Sequence, residues 1–221
     1  MSDADIKRYY EERYAAHMEN REVCTNAIHD IEKARSRVAA VVSAHAVGNL
    51  KGKNVLDVGS GLGYYTKALA LAGANVLGLD FSEAATASAQ VSFPGCRFQC
   101  GSWPDDVQED AGYDLIWMVN FSLANTFDVA RIDESLIAAA MSRLAPGGAL
   151  ILGWTTDFSG RVIEGYSHWP MAMLRELERR CNLSAPLVPI PAARLLSPLL
   201  IRYATARQRS IPIFMIGRAL P

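Results

Sequence analysis

Val55-Leu56-Asp57-Val58-Gly59-Ser60-Gly61-Leu62-Gly63-Tyr64-Tyr65-Thr66, with Val76-Leu77-Gly78-Leu79-Asp80 after it, is the stretch on which the reading of this chain turns. Val55, Leu56 and Val58 make a near-continuous apolar run, the pattern of a strand buried on both faces of a parallel sheet. Three alternate glycines stand where that strand gives way to a helix, a place where backbone approaches a ligand with no Cβ atoms between them. A helix opening near Leu62 offers unpaired amide groups and the positive end of its dipole to an anion such as a carboxylate or phosphate. Asp80 ends the next apolar run, where an acceptor-only side chain takes both hydrogen bonds of a ribose diol. The stretch asks for a nucleoside that carries an anion.

Spacing narrows the choice of nucleoside. In the dinucleotide fingerprint G-x-G-x-x-G/A the third glycine falls one residue later than Gly63, and Tyr64 occupies the slot that should be small. Asp57, two residues ahead of the first glycine, suits a cation better than a pyrophosphate. Leu56-Asp57-Val58-Gly59-x-Gly61-x-Gly63 resembles the first motif of the class I S-adenosylmethionine-dependent methyltransferases. Leu79-Asp80-Phe81-Ser82 resembles that family's acid-bearing second strand, with Ser82 placed to cap the next helix. Tyr113-Asp114-Leu115-Ile116-Trp117-Met118-Val119 resembles the fourth strand, and Leu144-Ala145-Pro146-Gly147-Gly148-Ala149-Leu150-Ile151-Leu152 the turn and fifth strand.

The resemblance covers about residues 55 to 154. It implies an α/β fold: a Rossmann-like, doubly wound, mostly parallel seven-stranded sheet with an antiparallel last strand, plus an amino-terminal helical lid. It also implies S-adenosyl-L-methionine as cofactor, S-adenosyl-L-homocysteine as product, no metal, and a small-molecule acceptor methylated on oxygen, nitrogen or carbon. The cofactor residues it points to are Tyr10, Tyr14, Asp57, Gly59, Ser60, Gly61, Gly63, Asp80, Phe81, Ser102, Trp103 and Asn120. Two other readings keep the glycines: a methyltransferase-like subunit that binds without turnover, and a nicotinamide-dependent oxidoreductase.

The chain has 221 residues, half of them hydrophobic, enough for one well-buried domain and too few for two of ordinary size. The expected division is a helical lid and packing helix over 1–47, a cofactor-binding core over 53–154, and a substrate-side insertion with the final strands over 155–221. A formal net charge of -1 gives no electrostatic reason to expect nucleic acid as a partner. The charged start, Met1 to Tyr10, lacks the apolar core of a signal peptide, and no later run is long enough to span a bilayer, so a cytoplasmic enzyme with no membrane partner is expected. Cys24, Cys96, Cys100 and Cys181 are scattered, with neither a C-x-x-C motif nor a disulfide expected.

In chain order, residues 4 to 17 read as a helix dense in tyrosine, Tyr9, Tyr10 and Tyr14. It is either a solvated helix covering the domain edge or, as the resemblance implies, a lid over the cofactor that brings Tyr10 or Tyr14 to the methionine carboxylate or the acceptor pocket. Apolar residues recur at helical spacing from about Glu22 to Val47, with His45 as a structural histidine near the end and Gly48 as a stop. Strand and helix then alternate: 53 to 58, 63 to 72, 75 to 80, 83 to 91, 96 to 100, 113 to 119, 130 to 143 and 148 to 154. Ser102 stands where the family commonly has an adenine-binding acid, and Trp103 either lies against adenine or plugs the sheet edge.

Asn120, after the fourth strand, either orients an acceptor through its amide or ties down the turn. Glycines bracket a segment of aromatics and titratable groups from Gly153 to Pro170, the composition of a pocket wall. His168 is the general-base candidate there, with Asp157 and Tyr166 behind it, and a packing role is the competing explanation. Asn120 and Tyr14 complete the catalytic candidates. A helix over Met171 to Cys181, a proline- and leucine-rich stretch over 184 to 200, and an apolar strand over Ile211 to Ile216 close the chain, with arginine the only charged residue in the last section.

Overall fold

The computed structural model describes residues 3–18, 29–107, 112–121, 134–163, 166–190 and 192–220. The helices are α1 (Asp3–Met18), α2 (Ile31–Ala44), α3 (Tyr64–Leu71), α4 (Glu83–Ser92), α5 (Glu134–Ser142), α6 (Met171–Cys181) and α7 (Ala193–Arg207). The strands are β1 (Asn54–Val58), β2 (Asn75–Asp80), β3 (Arg97–Cys100), β4 (Tyr113–Val119), β5 (Leu144–Thr156), the short pair β6 (Val162–Ile163) and β7 (Tyr166–Ser167), and β8 (Ile211–Arg218).

Six strands form one sheet in the order β3-β2-β1-β4-β5-β8, parallel throughout except for β8, which runs antiparallel to β5. Side chains on a strand alternate between faces, and both faces here are covered. Val55, Leu115, Trp117 and Ile151 pack with Ala34, Val38 and Val41 of α2 and Leu69 of α3. Leu56, Val58, Ile116, Met118, Leu150 and Leu152 pack in a second layer with Ile137 of α5 and Leu174 and Leu177 of α6. Double burial is why these strands read as apolar runs and not as alternating patterns.

The expected antiparallel last strand over 211–216 is present as β8, the sheet has six strands where seven were expected, and beyond β8 pairing stops at a single bridge. Leu187 and Phe214 exchange backbone hydrogen bonds of 2.8 and 2.9 Å on the outer edge of β8. Pro186 and Pro189 flank Leu187 and bring no N–H with which to extend the ladder. The Pro-Gly-Gly sequence lies inside β5 as a bulge: Tyr113 faces Leu144 while Leu115 faces Ala149.

Local chemistry sets the helix boundaries. Asp30, in extended backbone, accepts hydrogen bonds from the N–H groups of Glu32 and Lys33, so α2 opens at Ile31 and not near Glu22, and residues 22–28 of the expected helix lie outside the described ones. Helix α2 ends ahead of Gly48, with His45 buried at its C-cap. Ser82 caps α4 through its hydroxyl, which accepts from Ala85 N–H at 3.0 Å. Helix α7 runs through Pro198, a residue that conceals it in the sequence.

Gly153 is the tightest point of the sheet: a Cβ there would lie 2.4 Å from the Phe214 ring. Gly153→Ala should therefore destabilise the protein by about 1–3 kcal/mol through overpacking, read as a lower urea midpoint at unchanged slope. Combining it with Phe214→Leu should recover part of the loss. A Gly153→Ala midpoint equal to that of the parent would contradict this packing.

Candidate active site

The site lies at the carboxyl ends of β1, β2 and β4, beside the point where the strand order reverses. The glycine loop after β1 is pinned to β2, with Leu79 C=O accepting from Gly59 N–H at 2.8 Å and from Ser60 N–H at 3.0 Å. Asp80 then holds it from the side: Oδ2 accepts from Gly61 N–H at 2.8 Å and Oδ1 from Ser82 N–H at 2.9 Å. Beneath the loop, Asp57 Oδ2 accepts from the Thr66 hydroxyl at 2.6 Å. One short motif thus brings two carboxylates under a loop rich in amide groups.

The glycines divide their work. Gly61 has φ +50°, and a Cβ on it would meet the Tyr14 hydroxyl at 2.8 Å, so it keeps the loop open toward α1. At Gly63 a Cβ would fall 2.6 Å from Phe98 and 3.0 Å from Ala89, which gives that glycine a role in packing the start of α3 against β3 and α4.

A cavity of about 50 Å³ opens between the loop and α1, lined by Tyr10, Tyr14, Val58, Gly59, Leu79, Asp80, Phe81, Gly101, Trp103, Asn120 and Phe121. Helix α1 lies across it. The Tyr10 ring meets Phe81 edge-on at 6.1 Å and lies beside Tyr14 at 6.4 Å. Glu11 anchors the helix on the amino end of α4, its Oε1 accepting from Ala84 N–H at 3.1 Å. Trp103 is both wall and plug: it lines the cavity, donates its indole N–H to Leu136 C=O at 3.2 Å, and carries the Arg143 guanidinium over its ring at 5.2 Å.

Of the residues expected from sequence, the structure brings Tyr10, Tyr14, Gly59, Asp80, Phe81, Trp103 and Asn120 to one cavity. Asn120 has φ +57°, a conformation asparagine tolerates better than most residues, and its N–H donates to Gly153 C=O at 2.8 Å. Asp57, Ser60, Gly61, Gly63 and Ser102 are not on the lining. Asp57 is covered by the loop, and Ser102 N–H is committed to Asp106 Oδ2 at 2.7 Å. Phe121 and Glu11 had no motif to mark them: the first joins the wall through the turn after β4, and the second docks α1 on α4.

His168, the general-base candidate, stands apart from this cavity. It lies beyond the end of β5 and off the cavity lining, and its Nδ1 accepts a hydrogen bond from Asp157 N–H at 3.0 Å. The same Nδ1 lies 3.2 Å from Asp157 Oδ1, so the backbone and the side chain of Asp157 both hold the ring. Burial pushes the Asp157 carboxyl up, but hydrogen bonds from Ser159 and the charges of His168 and Arg161 outweigh it and hold the group below the usual carboxylate range. The Tyr166 side chain lies outside the described ones.

The two carboxyls under the loop are displaced the other way. Burial raises Asp57 to about 7, opposed by the Thr66 hydrogen bond and reinforced by Asp80. Burial also raises Asp80 to about 6, with the Ser82 and Gly61 amides opposing and Glu11 reinforcing. A cation placed at the loop would relieve both. Among the described residues no group of three or more His, Cys, Asp or Glu is arranged to hold a metal ion.

Comparison with known proteins agrees with this geometry. Residues 55–148 match a family described as a methyltransferase domain. The chain is similar to a trans-aconitate 2-methyltransferase of Delftia acidovorans, 37% identical over 123 residues, which are 53% of this chain and 43% of that protein. It is also similar to a ribosomal RNA small subunit methyltransferase C of Chromohalobacter salexigens, 34% identical over 110 residues, 48% of this chain and 33% of that one. The chain thus spans less than half the length of these curated relatives. In fold it resembles the magnesium protoporphyrin IX methyltransferase of Synechocystis PCC 6803, solved with bound SAM, at a TM-score of 0.60 and 17% identity over 99% of this chain and 98% of that one.

The raised carboxyls predict how stability depends on pH. A carboxyl whose pKa is higher folded than unfolded stabilises fully below the unfolded value, near 3.8, and that contribution is lost as pH climbs through the folded values of about 6 and 7. Urea midpoints of the ligand-free protein should fall between pH 5 and pH 8, and Asp57→Asn should flatten the fall. A steeper fall in Asp57→Asn would contradict burial as the cause.

Proposed function

We propose that this chain, whose residues 55–148 match a methyltransferase-domain family, is a class I S-adenosylmethionine-dependent methyltransferase that transfers a methyl group from S-adenosyl-L-methionine to an oxygen, nitrogen or carbon of a small molecule. The observation that carries the cofactor assignment is the Asp80 carboxylate, bonded to Gly61 N–H at 2.8 Å at the end of β2, beside the apolar faces of Leu79, Phe81 and Trp103. A carboxylate at that position accepts from ribose hydroxyls, and the aromatic walls suit a purine. The amide groups opening α3 suit the methionine carboxylate, and the charges of Asp57 and Asp80 favour a cation above the loop.

Bound S-adenosylmethionine would supply a carbon already activated by a positive sulfur. This chain's residues supply position. Helix α1 covers the loop with Tyr10 and Tyr14, and Asn120 stands on the same cavity lining, so a hydroxyl-bearing and an amide-bearing side chain border the space an acceptor would enter. Fixing a nucleophile in near-attack geometry accounts for roughly 7 to 11 kcal/mol of barrier in favourable systems. A positioning mechanism of this kind needs no general base when the acceptor arrives unprotonated. An acceptor of small size is supported by the aromatic, covered cavity and by the near-neutral charge of the chain, and the similarity to a trans-aconitate methyltransferase points the same way.

Calorimetry with S-adenosylhomocysteine and with NAD tests the cofactor. The first should bind and the second should not, and Gly61→Val should weaken the first by about a hundredfold or more because a side chain there meets Tyr14 in strained backbone. Asp80→Ala should also weaken it, by loss of charge-assisted bonds. NAD binding alone, or parental affinity in Gly61→Val, would contradict the assignment. Incubation with acceptor panels should release S-adenosylhomocysteine, and His168→Ala should keep the shape of the pH profile of turnover; loss of one limb would restore His168 as the base.

A further inference from the structure

Four of the eight large apolar side chains that stand exposed among the described residues fall within nine residues of α7: Leu195, Leu196, Leu199 and Tyr203. Leu195 is 75% exposed and Leu199 66%, whereas Ala193, Ser197, Ile201 and Ala204 of the same helix are buried. The buried residues recur at helical spacing and anchor one side of α7 to the fold. On that spacing Leu195 and Leu199 point directly away from it, with Leu196 and Tyr203 alongside. The helix is thus apolar on both sides, which a helix covering a soluble domain has no reason to be.

Positive charge is concentrated around the same helix. From residue 179 to the end the chain has seven arginines and no acidic residue. Arg179 pairs with Glu176, Arg180 with Glu134, and Arg218 donates to the carbonyls of His45 and Ala46. Arg194, Arg202, Arg207 and Arg209, on α7 or just past its end, have no acidic partner among the described residues. The near-zero net charge of the whole chain hides this segregation, which the sequence shows only in its last section, where arginine is the sole charged residue.

We propose that the outer face of α7 docks on an anionic lipid bilayer, the helix lying in the interface plane with Leu195 and Leu199 below the headgroups and the arginines at the level of the phosphates. Charge complementarity selects this occupant. A second copy of the chain related by a twofold axis would set the same arginines against one another with no acid to answer them. A bilayer accepts leucine and arginine on one surface, because the arginine stem lies along the apolar layer while its guanidinium reaches the phosphate. The inference stands apart from the methyl-transfer reading, since it rests on none of the residues of that site.

Co-sedimentation of the purified chain with vesicles tests it. Binding to vesicles rich in phosphatidylglycerol should exceed binding to pure phosphatidylcholine by roughly tenfold in about 0.1 M salt and shrink in high salt. Leu195→Ser/Leu199→Ser and, separately, Arg202→Gln/Arg207→Gln should each lower binding to the anionic vesicles by about fivefold or more, with melting temperatures near the parent's because all four side chains are exposed. Equal binding to both vesicle types, or undiminished binding in both double variants, would overturn the proposal. So would a parent dimer in sedimentation velocity that the leucine variant converts to monomer, which would make a second copy the occupant.

Discussion

A single buried carboxylate ties this site together. Asp80 ends β2, and its two oxygens accept from amides on opposite sides, Gly61 in the loop after β1 and Ser82 at the cap of α4. Its own backbone carbonyl accepts from Gly101 N–H at 2.9 Å, which adds the loop after β3. Three loops that meet at the switch of strand order are therefore referenced to one residue. Leaving such a carboxylate buried without partners would be costly, so the amides are as necessary to Asp80 as Asp80 is to the loops. The arrangement is charged, tense and open to one kind of visitor: a ligand with hydroxyls for the carboxylate and a positive centre nearby.

The cover over this arrangement explains the small cavity. Tyr14 brings its hydroxyl against the loop at the place where a side chain on Gly61 would stand, and Tyr10 leans on Phe81. Glu11 fastens α1 to the amino end of α4 through one backbone amide. A ligand entering beside the glycine loop would pass under α1, which lines the same cavity through Tyr10 and Tyr14.

Much of the framework was legible in the residues themselves. The doubly buried strands declared themselves as apolar runs, Ser82 as a cap, and Asp80 as the acid ending its strand, because each is a local rule acting on neighbouring residues. What escaped the sequence depends on distant partners. The true start of α2 rests on the geometry of Asp30, the count of six strands on an edge beyond β8 that pairs only at Leu187, and α7 on a helix that tolerates Pro198 at its surface. His168 had suitable chemistry, and only the folded chain sets it against Asp157 and off the cavity lining. Gly63 was grouped with its neighbours by spacing, and the fold adds a packing reason for it, since Phe98 and Ala89 fill the space a side chain would need.

The most direct measurement is a crystal structure of the chain grown with S-adenosylhomocysteine. The account predicts the ribose hydroxyls on the Asp80 carboxylate, the purine among Leu79, Phe81 and Trp103, and the Tyr14 hydroxyl moved away from Gly61. Clear density for the ligand at any other place, with Tyr14 still against the glycine loop and Asp80 bonded only to its two amides, would contradict it.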